Sequence, residues 1–308
     1  MTKVLTVATR GGKLAIAQTG LVCSLLKKIH PGLKIKIKKI TTRGDRDRQT
    51  TLWTLKDTGF FTSKLEDALL ASDADFAVHS FKDLPTHHRD GLTIAAVCDR
   101  QFAEDCLLAA DLVTSIDQLP HGAKVGTSSL RRAAQLKHLR ADLVPTPVRG
   151  NVLTRIKRLG EGKYDAIILA RAGIERLGLA DKISFCFDPK KFIPAPAQGA
   201  LAVQTRTDDR ATNELIAAID GEKARTITFA ERRILTTMQC GCHAPVGAFA
   251  KIVGDNIEIT AFISALDGRN FIRRRITGPA EQADTLADQI ANDLLASGGK
   301  NILASLEE

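Results

Sequence analysis

Short apolar runs of strand period alternate with longer amphipathic segments of helical period along this chain, which restricts the fold to helices layered on mostly parallel sheets. Residues 4–8 read as a strand, and 13–30 as a helix stopped by Pro31 and Gly32. Residues 33–40 alternate as a strand, 61–71 read as a helix, and 75–79, 92–97 and 105–109 as further strands. A second α/β unit begins near Gly122. It has a strand at 123–126, a helix at 130–139 capped by Ser128 or Ser129, and a helix at 151–159. A strand at 166–170 and a short helix at 172–177, ended by Gly178, complete it. The Pro/Gly-rich segment 192–199 reads as a crossing segment, and 200–205 as a strand returning to the first unit. A helix at 222–238, strands at 248–253, 257–264 and 270–277, and a helix at 280–297 make a small α+β domain. The expected organisation is therefore domain 1 at 1–99 and 200–220, domain 2 at 100–199 and domain 3 at 221–308. Two α/β units joined by crossing segments predict a hinge cleft, with ligands at the carboxyl ends of strands.

Composition narrows the partners. With 308 residues, 44% of them hydrophobic, the chain can fill two or three cores. A formal charge of +9 favours anionic partners, and the excess is local: residues 131–176 hold eleven Lys/Arg against four Asp/Glu. Apolar strands interrupt that basic window, and only 5% of residues are aromatic, with none in a stacking pattern there, so nucleic acid is not the expected partner. The N-terminal residues lack the apolar core of a signal peptide, and no apolar stretch approaches the ~18 residues of a membrane span, which predicts a cytoplasmic protein. Six scattered cysteines (23, 98, 106, 186, 240 and 242) then read as free thiols, most of them buried.

Several motifs can carry chemistry. In His79-Ser80-Phe81-Lys82-Asp83-Leu84-Pro85 an apolar strand ends in a lysine and a carboxylate. A partly buried Asp83 there can stabilise a developing cation or move a proton; its bland alternative is a salt-bridged turn. Gly126-Thr127-Ser128-Ser129-Leu130-Arg131-Arg132 places hydroxyls at a helix N-terminus beside two guanidinium forks, an arrangement suited to anions. Arg149 before Gly150 and Asn151, Arg155 one turn on, Arg176, and Arg10 before Gly11 and Gly12 repeat the theme. Each of these alone is an ordinary surface arginine. Cys240-Gly241-Cys242-His243 contains metal-ligand types, but no second cluster supplies the remaining ligands of a structural zinc site, so no metal is expected. A thiolate near positive charge is instead a possible covalent attachment point.

Taken in order, these motifs, with Thr42-Arg43-Gly44-Asp45, Ala197-Gln198-Gly199 and Gly241-Cys242-His243-Ala244-Pro245, resemble the porphobilinogen deaminase (hydroxymethylbilane synthase) family over essentially the whole chain. The resemblance implies two periplasmic-binding-protein-like α/β domains and a small C-terminal α+β domain. It implies a monomer that joins four porphobilinogen units, with loss of ammonia, onto a dipyrromethane cofactor held by a thioether to Cys242, and releases hydroxymethylbilane. Asp83 becomes the catalytic carboxylate. Arg10, Lys82, Thr127, Ser128, Ser129, Arg131, Arg132, Arg149, Arg155, Arg176 and Gln198 become the binders of cofactor and substrate carboxylates, and Phe61 part of a lid that stacks on substrate. Three positions depart from the family's pattern. Gly12 lacks a hydroxyl contact, Thr58 replaces a lysine in the lid, and Cys240 is an extra thiol beside Cys242. Two rivals carry less of the sequence: a non-catalytic solute-binding module gives no role to the cysteine loop, and a nucleic-acid binder gives none to Asp83 or Cys242.

Overall fold

The computed structural model describes residues 4–42, 62–87, 89–98, 100–241 and 244–306. The chain opens with β1 (Val4–Arg10), α1 (Lys13–Ile29), β2 (Lys34–Ile40), α2 (Ser63–Leu70), β3 (Phe76–Ser80) and β4 (Leu92–Cys98). It continues through β5 (Asp105–Ala109), β6 (Lys124–Gly126), α3 (Leu130–Leu139), β7 (Val144–Thr146), α4 (Val152–Gly160), β8 (Ala166–Ala170), α5 (Arg171–Glu175) and β9 (Phe185–Cys186). Next come β10 (Leu201–Arg206), α6 (Arg210–Ala217), α7 (Glu222–Thr237), β11 (Val246–Val253), β12 (Asn256–Ile263), β13 (Ile272–Pro279), α8 (Ala283–Leu294) and α9 (Lys300–Ala304). Two compact units result: one takes the described residues up to 101 together with 199–225, the other takes 102–198 and 226–306.

The first unit is built on a sheet ordered β2-β1-β3-β10-β4. β1 runs parallel to β2 and β3, whereas β10 is antiparallel to both its neighbours. Four strands therefore point one way and one is reversed. Leu5, Val7, Phe76 and Val78 pack on one face with Val22 and Leu26 of α1 and Ile216. Ala8 and Ala77 meet Leu65 and Leu69 of α2 on the other. Helices on both faces explain why β3 and β10 read as continuous apolar runs rather than alternating ones. At the edge, β2 carries Lys34, Lys36, Lys38 and Lys39, charges that discourage another strand from adding there.

The second unit contains a sheet of the same design, β7-β6-β8-β5-β9, with β6 parallel to β7 and β8 and β5 reversed. The reversed strand in each sheet is the one entered just after the chain passes from the other unit. That is the physical reason a sheet expected to be mostly parallel includes one antiparallel member. Leu107, Val125, Leu136 and Ile168 fill one side, and Leu108, Leu159, Ile167 and Ile174 the other. The same unit includes the antiparallel sheet β11-β12-β13. Ile234, Leu235, Ile259, Ala261, Leu286, Ile290 and Leu294 form its core with α7 and α8.

Candidate functional site

In the first unit the polar groups gather where β1 and β3 end. Arg10 closes β1 and is half-buried. After Ser80 the chain makes one 3-10 turn, Phe81–Asp83, which buries Phe81 completely and fastens its N–H to Ala200 O at 3.1 Å. With Phe81 as anchor, the next two side chains turn outward, leaving Lys82 half-buried and Asp83 exposed. Asp83 was expected partly buried; the short turn, with its single apolar residue, is why it is not. Behind the turn, Gln18 Nε2 donates to Ser80 Oγ at 2.8 Å, and Thr19 Oγ1 donates to Thr9 Oγ1 at 2.7 Å, locking α1 to β1 and β3. His79 lies beneath, 5% exposed, and burial lowers its pKa to about 4, with the Arg10 charge adding to the shift and a hydrogen bond with Gln204 opposing it.

In the second unit the corresponding strand ends carry hydroxyls and guanidinium groups. Thr127 is buried just after β6 and accepts from Ser129 N–H at 3.2 Å. Ser128 Oγ donates to Val148 O and accepts from Val148 N–H at 3.1 Å, which ties the two βα turns together. Ser129 caps α3, accepting from Arg132 N–H at 3.4 Å. Asn151 caps α4 by accepting from Thr154 N–H at 3.0 Å. Just before it, Gly150 sits at φ +97°, where an added Cβ would strike Thr154, so only glycine closes this turn. Arg149 and Arg155 are half-buried at these turns, Arg155 Nε donates to Gly150 O at 2.9 Å, and Arg176, also half-buried, ends α5.

Arg131, Arg132 and Gln198 occupy a different position from the one expected of cleft-lining side chains. Arg131 and Arg132 are 4% and 6% exposed, Gln198 is fully buried, and all three converge on Asp105. Arg131 Nη2 donates to Asp105 Oδ2 at 2.8 Å, Arg132 Nη2 to Oδ1 at 2.7 Å, and Gln198 Nε2 to Oδ1 at 2.8 Å. Burial opposes ionisation of Asp105, but the two guanidinium groups overcome it and hold the carboxyl well below the usual carboxylate range. Two cations about one carboxylate leave this buried cluster a net positive charge, next to the N-terminus of α3. An anion at that helix end meets an attractive field even though the guanidinium groups are turned inward. Asp105 was read only as the first residue of a strand. Its signal was a charge opening the otherwise apolar run Asp105-Cys106-Leu107-Leu108, but its partners lie 26 and 27 residues away.

The donors at these strand ends suit a ligand carrying several carboxylates. Cys242 and Phe61, together with Arg43 and Thr58, lie outside the described residues. Among the described cysteines, Cys23, Cys98 and Cys106 are buried as expected, whereas Cys240 is half-buried and Cys186 exposed, the latter because β9 is the edge strand of its sheet. No helix is long and apolar enough to cross a membrane among the described residues, and no group of three potential metal ligands occurs among them.

Comparison with known proteins places this arrangement. Residues 5–214 match the family model described as "Porphobilinogen deaminase, dipyromethane cofactor binding domain", and residues 225–296 match "Porphobilinogen deaminase, C-terminal domain". The chain is 43% identical over 304 residues to the porphobilinogen deaminase of Roseiflexus castenholzii, covering 99% of this chain and 100% of that one. It is equally similar, at 43% over 304 residues with the same coverage, to the porphobilinogen deaminase of Roseiflexus sp. strain RS-1. Among solved structures it is similar to the methionine binding protein MetQ, with a TM-score of 0.45, 13% identity, and coverage of 72% of this chain and 92% of that one.

Proposed function

The chain belongs to the porphobilinogen deaminase family, and from that premise we propose how its own residues divide the work. The activity is the polymerisation of porphobilinogen to hydroxymethylbilane with a dipyrromethane cofactor. When bound, the dipyrromethane supplies the pyrrole terminus onto which units are joined. We assign its attachment to Cys242 through a thioether, because Cys242 stands two residues before Ala244 and three before Pro245 in the family's register. Asp83 acts as the catalytic carboxylate. Its exposure on a turn anchored by Phe81 supports this role, which is to stabilise positive charge on a substrate pyrrole as ammonia leaves and to accept the proton that restores the ring. Lys82 precedes it on the same turn, and Arg10 stands at the end of the neighbouring strand β1.

The second unit holds carboxylates. Ser128 and Ser129 line the start of α3 with Thr127 buried behind them as a support, and Arg149, Arg155 and Arg176 supply charge after the strands of this sheet. Arg131, Arg132 and Gln198 serve mainly from behind, as a buried net cation fixed by Asp105. Phe61 belongs to the lid. The protein acts as a monomer in the cytoplasm, with domain 1 at 1–99 and 200–220, domain 2 at 100–199 and domain 3 at 221–308. The observation that carries this reading is made in each unit by itself: Asp83, Lys82 and Arg10 follow the carboxyl ends of parallel strands in one sheet, and hydroxyl and guanidinium groups follow those of the other.

Intact-protein mass spectrometry before and after adding porphobilinogen tests it. The purified protein is expected to carry the added mass of two pyrroles and to gain further pyrrole units stepwise. Cys242→Ser is expected to carry none, and a normally loaded, active Cys242→Ser protein would refute the attachment. Asp83→Asn is expected to fold and lose most turnover, about 100-fold or more. Near-normal turnover would remove Asp83 from the chemistry.

A further inference from the structure

Cys106 and Cys186 stand directly opposite each other on neighbouring antiparallel strands, β5 and β9. Phe187 N–H donates to Asp105 O at 2.9 Å, which makes 105 and 187 a hydrogen-bonded pair. The next pair along, Cys106 with Cys186, is therefore the close, non-hydrogen-bonded kind, with Cα atoms typically ~4.5 Å apart and both side chains on one face of the sheet. A disulfide spans Cα separations of about 4.4–6.8 Å, so the backbone already has the spacing that bond needs. The two thiols differ in access. Cys106 is completely buried among Leu108, Ile167 and Leu169, while Cys186 is exposed on the edge strand. The Arg171 guanidinium, held by Glu104 and Glu175 at 2.8 Å each, lies beside Cys186.

We propose that Cys106 and Cys186 form a thiol–disulfide site, oxidised by small disulfides such as oxidised glutathione. The Cys186 thiolate attacks one sulfur of the small disulfide, forms a mixed disulfide and expels one thiolate. The Cys106 thiolate then attacks the Cys186 sulfur, closes the cross-strand bond and expels the second. In sum, two protein thiols and one small disulfide become one protein disulfide and two small thiols. The order follows from the surroundings. Burial pushes the Cys186 thiol up, Arg171 opposes the shift, and the Glu104 and Glu175 carboxylates add to it. Burial pushes the Cys106 thiol up further, with the Asp105 carboxylate and Cys186 adding to the effect. Cys186, the exposed thiol, is the attacking sulfur and buried Cys106 the resolving one, and ring closure is the slow step, quickening as pH rises. The bond would staple the two-residue edge strand β9 to the strand whose first residue holds Arg131 and Arg132.

The test incubates the cofactor-loaded protein with oxidised glutathione, alkylates the remaining thiols and maps the peptides. A cross-linked peptide joining Cys106 and Cys186 is expected, reversible by dithiothreitol and absent from Cys186→Ser. The oxidised wild type is also expected to melt about 5–10 °C higher than the reduced, a rise missing in Cys186→Ser. Glutathione retained on Cys186 with Cys106 still a thiol would overturn the proposal. So would both cysteines emerging unmodified.

Discussion

At the scale of single residues, the two sheets meet the same demand in opposite ways. Asp83 is left in solvent by a turn that buries Phe81, so its carboxylate is available to a ligand. Asp105 is sunk completely and matched by two guanidinium groups, so its charge organises its neighbours. His79 shows what burial without such a match does. Its folded pKa of about 4 lies below the ordinary 6.5, so between those values the unfolded chain binds a proton that the folded chain refuses. Stability present above pH 6.5 is therefore lost as pH falls towards 4, by up to about 3 kcal/mol from this group. Urea unfolding at pH 7 and pH 5 is expected to show a drop that His79→Gln makes shallower. An equal drop in the variant would assign the pH dependence elsewhere. The sequence placed His79 correctly at the end of a strand. It could not report the burial that shifts the imidazole, because that depends on β10 pairing beside the strand and on the face of the sheet that α2 covers.

At the scale of elements, caps and close approaches decide how the binding turns are held. Ser129 and Asn151 cap α3 and α4; the sequence offered Ser128 or Ser129 for the first and read Asn151 as the first residue of its helix rather than the cap. Gly247 is a different case. It follows the cysteine loop at the start of β11, and a Cβ there would lie 2.6 Å from Phe262 Cε1 and 2.9 Å from the carbonyl oxygens of Ile193 and Pro194. The strand can approach the 193–194 segment only because no side chain intervenes, and Ala248 N–H then donates to Pro194 O at 3.1 Å. Gly247→Ala is expected to lower stability by about 1–3 kcal/mol and to reduce cofactor loading, read together by thermal melting and intact mass. Unchanged melting would show that the gap closes without strain. Among the longer elements, α1, α3 and β8 fall within a residue of their expected bounds, since their periodicity is strong. β7 and β9 went unread because strands of two or three residues have no period to detect, and α6 because its two turns bury only Thr212 and Ile216.

At the scale of the whole molecule, the notable feature is how the second unit joins its two sheets. Glu231 of α7 is fully buried and accepts from Ala250 N–H at 2.6 Å and from Ala197 N–H at 2.7 Å. One carboxylate thus fastens β11 to the segment carrying Gln198, and it supports Ala197 at φ +61°, a conformation costly for any residue with a Cβ. Glu231→Ala leaves two buried N–H groups without that acceptor and is expected to destabilise by about 2–4 kcal/mol in urea unfolding. Hydrogen exchange should rise at both Ala197 and Ala250; a rise at only one would break the proposed link. From the amino-acid order alone came the layered α/β architecture, the crossing segment at 192–199, a capped turn and the ordered motifs, because periodicity, caps and glycine turns are local and act within a few residues. Tertiary structure alone settled which arginines face inward, which aspartate holds them, which cysteines stand opposed and which strand runs backwards. Those outcomes depend on groups brought together from 26 to 129 residues apart, where Coulomb attraction, desolvation and hydrogen-bond satisfaction act through space and leave no period in the chain.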